Sequence, residues 1–173
     1  MARRKREKVE LTGDEEQIVS FKLGKETFGV RVSQVREIGK VQNITKIPKM
    51  PDYIEGVMNL RGQITTVIDL KKRFGIDSDA AGITTASRII VAEIGDTQIG
   101  IIVDEVEDVI RVPRLSISPP PRTLTVGRET SFLTAICKLQ DRMVMLLDLD
   151  KVMTVNEIDQ IAGDSSTIAK ASA

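Results

Sequence analysis

Residues 23–38 read LGKETFGVRVSQVREI, and residues 94–109 read IGDTQIGIIVDEVEDV. The second stretch matches the first at a constant offset of 71, weakly in identity but well in the order of glycine and apolar residues. Two glycines of each stretch coincide in this alignment, namely Gly24 with Gly95 and Gly29 with Gly100. The match indicates that one β-hairpin pattern occurs twice in the chain.

The repeat continues beyond these hairpins at a larger offset of 79, where GQITTVIDLKKRF at 62–74 aligns with DRMVMLLDLDKVM at 141–153. This alignment places Asp69 on Asp148, each at the end of a strand pattern and suited to cap a short helix. We therefore expect two similar β units of about five strands, which pack on each other because neither holds a core alone.

Short strands, glycine turns and short helices at strand exits favour two SH3-like five-stranded β-barrels over a β-sandwich, although strand spacing does not decide between them. The predicted organisation is an N-terminal arm at 1–16, one domain at 17–155 and a C-terminal helix with a frayed tail at 156–173. Within the domain the first repeat covers about 17–76 and the second about 87–153. Further predictions are a short helix from Pro51 toward Met58, and structural turns at Gly24, Gly29, Gly56 and Gly100.

Composition points to partners that are proteins. The 173 residues carry 25 basic and 25 acidic side chains, so no net charge steers the chain to nucleic acid or anionic lipid. Hydrophobic residues make up 41% and aromatic residues 3%, which fits a β-rich globular fold with many β-branched residues. The charged N-terminus has no apolar segment of membrane-spanning length, and we expect a cytoplasmic location.

The usual catalytic and metal-binding patterns are missing. The sequence has no histidine and only Cys137, so histidine-dependent triads and cysteine metal sites cannot form. Asp69 and Asp148 lack the small residues that let two carboxylates share a proton, and Gly24-Lys25 fails the phosphate-loop spacing. We expect no enzyme activity, no cofactor and no metal.

One alternative is a nucleic-acid-binding barrel that uses the basic cluster within residues 3–8. Such barrels also need aromatic stacking platforms. The four phenylalanines lie within apolar strand or helix patterns and are predicted to be core residues: Phe21, Phe28, Phe74 and Phe132.

Arg61 is a single cation in the otherwise apolar run GVMNLRGQITTVIDL at 56–70, bracketed by Gly56 and Gly62. Its guanidinium can form a bidentate pair with a carboxylate on a neighbouring element, and Glu37 is a plausible partner. From the residues alone, a structural cation and a functional surface cation are equally good interpretations.

Four ordered blocks resemble the CheW family of chemotaxis coupling proteins: QIVSFKLGKETFGVRVSQVREI at 17–38, PDYIEGVMNLRGQITTVIDLKKRFG at 51–75, IGIIVDEVEDVIRV at 99–112 and FLTAICKLQDRMVMLLDLDKV at 132–152. The resemblance covers nearly the whole chain apart from its tails. It implies two SH3-like barrels and a non-enzymatic adapter between chemoreceptor tips and the histidine kinase CheA, bound through the C-terminal regulatory domain of CheA. Neither nucleic acid nor a direct membrane contact is implied, but the basic arm is outside the family pattern and leaves an added contact with lipid or another partner open.

The resemblance also implies a receptor-binding groove near the junction of the barrels. Val35, Glu37 and Arg61 match family positions associated with receptor binding, and apolar residues at 99–106 are candidates for the opposite wall. The full candidate set is Val35, Glu37, Ile38, Asn59, Leu60, Arg61, Gly62, Ile99, Val103 and Val106.

Overall fold

The computed structural model describes residues 14–76, 82–121 and 132–152, and these are mainly β. The predicted C-terminal helix and the basic arm lie outside the described residues. The strands are β1 Glu15–Leu23, β2 Glu26–Arg31, β3 Glu37–Lys40, β4 Ile54–Leu60, β5 Gln63–Asp69, β6 Arg88–Ile94, β7 Thr97–Val103, β8 Glu105–Pro113, β9 Ile117–Ser118, β10 Leu133–Lys138 and β11 Met143–Leu147. The helices are α1 at Leu70–Phe74 and three short 3₁₀ helices at Val32–Gln34, Arg114–Ser116 and Leu149–Lys151.

The strands form two sheets, in the orders β8-β1-β2-β11-β10-β9 and β3-β6-β7-β5-β4. We call them the first and the second barrel. Pairing is antiparallel except where β2 meets β11 and where β5 meets β7. The prediction of two SH3-like barrels is confirmed.

The connectivity differs from what the repeat predicted. The hairpin β1–β2 joins strands β8 to β11 of the second repeat, and the equivalent hairpin β6–β7 joins β3 to β5 of the first. Each barrel therefore contains strands from both repeats, so the expectation that each repeat builds its own β unit is wrong. Both parallel pairings join strands from different repeats, so the two repeats cannot separate without breaking hydrogen bonds within a sheet.

Each sheet closes on itself through the segment that follows its edge strand. In the second barrel Thr45 pairs with Val57 of β4, with N–H to O=C distances of 2.8 and 2.9 Å. In the first barrel β8 runs through a 3₁₀ helix into β9, which pairs with β10. These pairings join the two edges of each sheet, as expected of a barrel.

Burial on both strand faces produces three apolar clusters. One cluster lies between the barrels, where alternate residues such as Val19, Phe21 and Leu23 of β1 meet Ile99, Ile101 and Val103 of β7. The other two contain the remaining faces, around Ile18 and Val144 in the first barrel and around Val67 and Ile89 in the second. All four phenylalanines belong to the shared cluster or pack against it, as predicted.

The four glycines predicted as turns have different roles. Gly24 lies in the β1–β2 turn with φ 62°, as predicted. Gly56 lies at a bulge within β4 with φ 145°, so the prediction of a turn at Gly56 is wrong. Gly29 and Gly100 lie within strands β2 and β7, so the prediction of turns at these two positions is wrong. A Cβ on Gly29 would meet Ile18 Cγ2 at 2.5 Å, and one on Gly100 would meet Ile89 Cγ2 at 3.1 Å. Both glycines make room for a β-branched side chain.

Gly29→Ala is expected to lower the free energy of unfolding by about 2 kcal/mol because the new methyl group overpacks the first barrel. Gly100→Ala is expected to cost less than half as much, since its closest contact is longer. Urea denaturation of both variants measures the difference. Equal losses would contradict this account of the two packing contacts.

Short helices follow Asp69 and Asp148, as predicted. Asp69 Oδ1 accepts hydrogen bonds from the backbone N–H of Lys71 at 2.9 Å and of Lys72 at 3.3 Å, and Asp148 Oδ1 accepts from the backbone N–H of Asp150 at 3.0 Å. The helix predicted from Pro51 toward Met58 is absent. Residues 54–60 form β4 instead, because the strand pairs with β5 and places Met58 in the barrel core.

Burial raises the pKa of Asp69 above its ordinary value of 3.8, and the N–H groups of Lys72 and Lys71 offset this only in part. The folded protein therefore takes up a proton on Asp69 at a higher pH than the unfolded chain does. As pH rises from 3.8 through the raised pKa, the free energy of unfolding of the wild type is therefore expected to fall relative to that of an Asp69→Asn variant, and it recovers as pH falls again. Unfolding free energies of both proteins across this range test the sign, and an opposite trend would mean a lowered pKa.

Candidate functional site

A two-residue turn between β4 and β5 presents Arg61. Arg61 and Gly62 have φ of 53° and 84°, the combination of a type I′ hairpin turn. Asn59 Oδ1 accepts a hydrogen bond of 2.8 Å from the Gly62 N–H and fixes the turn. Asparagine and glycine tolerate a positive φ better than arginine does, so the turn holds Arg61 in a conformation that costs about 1 kcal/mol.

The predicted pairing of Arg61 with Glu37 is present. Arg61 Nη2 lies 2.9 Å from Glu37 Oε2 at the start of β3, and the Arg61 side chain is 80% exposed. An ion pair this exposed contributes little to stability. The contact orients the guanidinium on the surface of the second barrel while leaving most of it open to solvent.

A shallow depression of about 300 Å³ adjoins this ion pair. It lies over the ends of β3, β4, β5 and β7, and its walls carry more polar than apolar groups. The lining residues are Arg36, Glu37, Leu60, Arg61, Gln63 and Gln98. Sequence analysis missed Arg36, Gln63 and Gln98, although the position of Arg36 beside Glu37 is a signal that could have found the first.

Other candidates separate into surface and core. Ile38 is exposed, whereas Val35 and Val106 are half-buried and pack against the cluster between the barrels. Ile99 and Val103 are fully buried in that cluster, so their prediction as a groove wall is wrong. Both faces of β7 are buried, which makes its inward residues indistinguishable by sequence from groove-lining ones.

Polar contacts fix the two barrels to each other near the helix caps. Lys71 Nζ of α1, a largely buried group, lies 2.8 Å from Asp104 Oδ1, and Asp104 Oδ2 accepts a hydrogen bond of 2.7 Å from the Gly24 N–H. On the other side Gln34 Nε2 donates to Asp148 Oδ1 at 2.7 Å. These contacts join the two barrels, and Gln34 ties the segment before β3 to the first barrel.

Two large apolar side chains are exposed at one end of the first barrel. Leu115 is 98% exposed in the 3₁₀ helix before β9, and Met143 is 63% exposed at the start of β11. The strand register brings them to the same end, because Met143 pairs with Lys138 of β10 and Ile117 pairs with the adjacent Cys137.

The described residues show no cluster of histidine, cysteine or acidic side chains that could hold a metal ion. Cys137 is buried, and burial raises the pKa of its thiol. Within the same residues no helix is long and apolar enough to cross a membrane.

Two barrels joined by polar contacts, with an exposed cation on a tight turn, fit a protein of the scaffold class. Residues 17–157 match the family model described as the CheW-like domain, and the chain belongs to this family. The protein is accordingly a chemotaxis adapter that couples chemoreceptors to the histidine kinase CheA.

Similar proteins agree with this assignment. The chain is 37% identical over 144 residues to the chemotaxis protein CheW of Bacillus subtilis, which covers 83% of this chain and 90% of the relative. It is 34% identical over 150 residues to that of Klebsiella aerogenes, covering 85% of this chain and 89% of the relative. Among solved structures, the scaffolding protein TtCheW from Thermoanaerobacter tengcongensis matches with a TM-score of 0.73 at 44% identity, over 82% of this chain and 90% of that one.

Proposed function

We propose that the surface around Arg61 and Glu37 binds the chemoreceptor tip, and that CheA binds elsewhere through its C-terminal regulatory domain. The protein acts without chemistry of its own, in the cytoplasm. It holds receptor and kinase at fixed relative positions, so that a rearrangement of the receptor tip biases the kinase.

The observation that carries the receptor assignment is the exposure of a strained arginine. Arg61 has an unfavourable backbone conformation, and its ion pair is too exposed to offset the resulting loss of stability. Strained residues of this kind are concentrated at functional surfaces. The sequence left a structural role and a functional surface role for Arg61 equally open. The strain and the exposure of Arg61 favour the surface role.

The exposed end of the first barrel around Leu115 and Met143 is our candidate for the kinase surface. Two large apolar side chains at one end favour a protein partner, since such contacts supply much of the energy of association. This end belongs to the first barrel, whereas Arg61 belongs to the second.

Pairwise titration with a receptor cytoplasmic fragment and with a CheA regulatory domain tests the two surfaces. Leu115→Ser is expected to weaken kinase binding about tenfold and to leave receptor binding unchanged. Arg61→Gln is the matched variant, which is expected to weaken receptor binding and to leave kinase binding unchanged. Loss of both partners in one variant without unfolding would contradict the assignment of separate surfaces.

A further inference from the structure

The depression beside Arg61 brings together a second cation that the receptor assignment does not use. Arg36 lines the same depression as Arg61, together with the glutamines at 63 and 98. The two guanidinium groups come from different elements, since Arg36 precedes β3 and Arg61 lies in the β4–β5 turn. Two cations that approach one depression repel each other unless anions neutralise them.

Each arginine is held by one carboxylate on the protein itself. Arg36 Nη2 contacts Glu93 Oε2 of β6, and Arg61 Nη2 contacts Glu37 Oε2. A guanidinium carries five N–H donors, and one carboxylate cannot occupy them all. The Arg36 and Glu93 side chains are 59% and 39% exposed, so this pair also contributes little to stability.

We propose that the depression binds a carboxylate side chain of the docked receptor, with Arg36 and Arg61 donating to it from two sides. Glu37 then orients the Arg61 guanidinium, and Glu93 balances the charge of Arg36 in the free protein. This inference rests on the proposed receptor surface and extends it by naming the chemistry recognised. Two fixed guanidinium forks match a carboxylate better than a single lysine would, which favours an acidic side chain over a neutral polar one.

The occupant is a protein carboxylate rather than a free anion because the depression is open. A small anion in it would stay largely hydrated and would gain little from charges that salt screens. A carboxylate on a docked receptor is already held in place by the rest of the interface, so the same hydrogen bonds contribute more to its binding.

Titration of a receptor cytoplasmic fragment with wild type and Arg36→Gln tests the proposal. The variant is expected to bind about tenfold more weakly and to show a smaller dependence of affinity on salt. Arg142→Gln is the control, since Arg142 forms a surface ion pair with Glu107 on the first barrel, at 3.2 Å, although this pair is less exposed than that of Arg36. Arg142→Gln should leave receptor affinity unchanged. If it weakened receptor binding as much as Arg36→Gln does, the effect would be one of net charge, and the proposal would be overturned.

Glu93→Gln separates recognition from structure, because it frees the Arg36 guanidinium without removing it. Unchanged or tighter receptor binding supports direct donation by Arg36, and a loss equal to that of Arg36→Gln overturns it.

Receptor variants in which single acidic residues are changed to amides then identify the bound carboxylate. When that carboxylate is removed, Arg36→Gln should cause no further loss of receptor affinity. If no such residue is found, or if inorganic phosphate competes at constant ionic strength, the proposal fails. Absence of wild-type binding to the fragment would instead count against the receptor surface itself.

Discussion

Arg61→Glu is expected to weaken receptor binding by about two orders of magnitude. The substitution removes the presented guanidinium and places a second carboxylate beside Glu37, whose Oε2 is 2.9 Å from the native cation. The fold should remain intact, because the Arg61 side chain is 80% exposed and belongs to no core cluster. Isothermal titration against a receptor cytoplasmic fragment measures the loss, and circular dichroism checks the fold.

The pairing itself is tested by adding Glu37→Arg to Arg61→Glu, which restores opposite charges in reversed positions. Partial recovery of receptor affinity is expected, and a double-mutant cycle without coupling would contradict the pairing. Arg61→Asn is the control for the turn, since asparagine suits a positive φ. That variant should raise the free energy of unfolding by up to about 1 kcal/mol while still losing receptor affinity.

Gly56→Ala is expected to cause the largest loss of stability, about 3 to 5 kcal/mol. A Cβ at this position would lie 2.1 Å from the carbonyl oxygen of Thr45, a backbone atom that cannot swing away. Gly56 also has a φ of 145°, which alanine rarely adopts. Relief of the clash would separate Thr45 from Val57 and break the two hydrogen bonds that close the second barrel.

Two other glycines provide matched controls for this prediction. Gly62 has a positive φ of 84° but nothing within 4 Å of a new Cβ. Gly62→Ala should therefore lower the free energy of unfolding by only about 1 kcal/mol, through backbone strain. Gly39 has neither the positive φ nor a close contact, and Gly39→Ala should be near neutral. Urea denaturation ranks the three, and a Gly56→Ala variant no less stable than Gly62→Ala would contradict the closure account.

Sequence reasoning reached a pair of β units because the repeat leaves strong local signals, and the family resemblance supported two SH3-like barrels over a sandwich. Glycine at the β1–β2 turn and aspartate before each short helix are dictated by backbone geometry, and the structure has both. The exchange of hairpins between repeats was not predictable, because the parallel pairings of β2 with β11 and of β5 with β7 join segments far apart in sequence. The local sequence pattern of these strands does not indicate which strand each one pairs with.

The candidate site was predictable only in part, for a related reason. Arg61 and Glu37 stood out as charged residues within apolar or family-like runs, and they do meet. Ile99 and Val103 looked like groove residues because a strand buried on both faces reads as a continuous apolar run. Arg36 joins the site through strand pairing that brings residues 36, 61 and 98 together, which spacing along the chain does not show.

A bridging experiment tests the central claim most directly. A receptor cytoplasmic fragment is immobilised, and retention of the isolated CheA regulatory domain is measured with and without this protein. Retention should rise strongly when wild-type protein is present, fall close to background with Arg61→Glu, and fall clearly below the wild-type level with Leu115→Ser. Retention that is independent of the protein, or bridging that survives both substitutions, would contradict an adapter with receptor and kinase surfaces on different barrels.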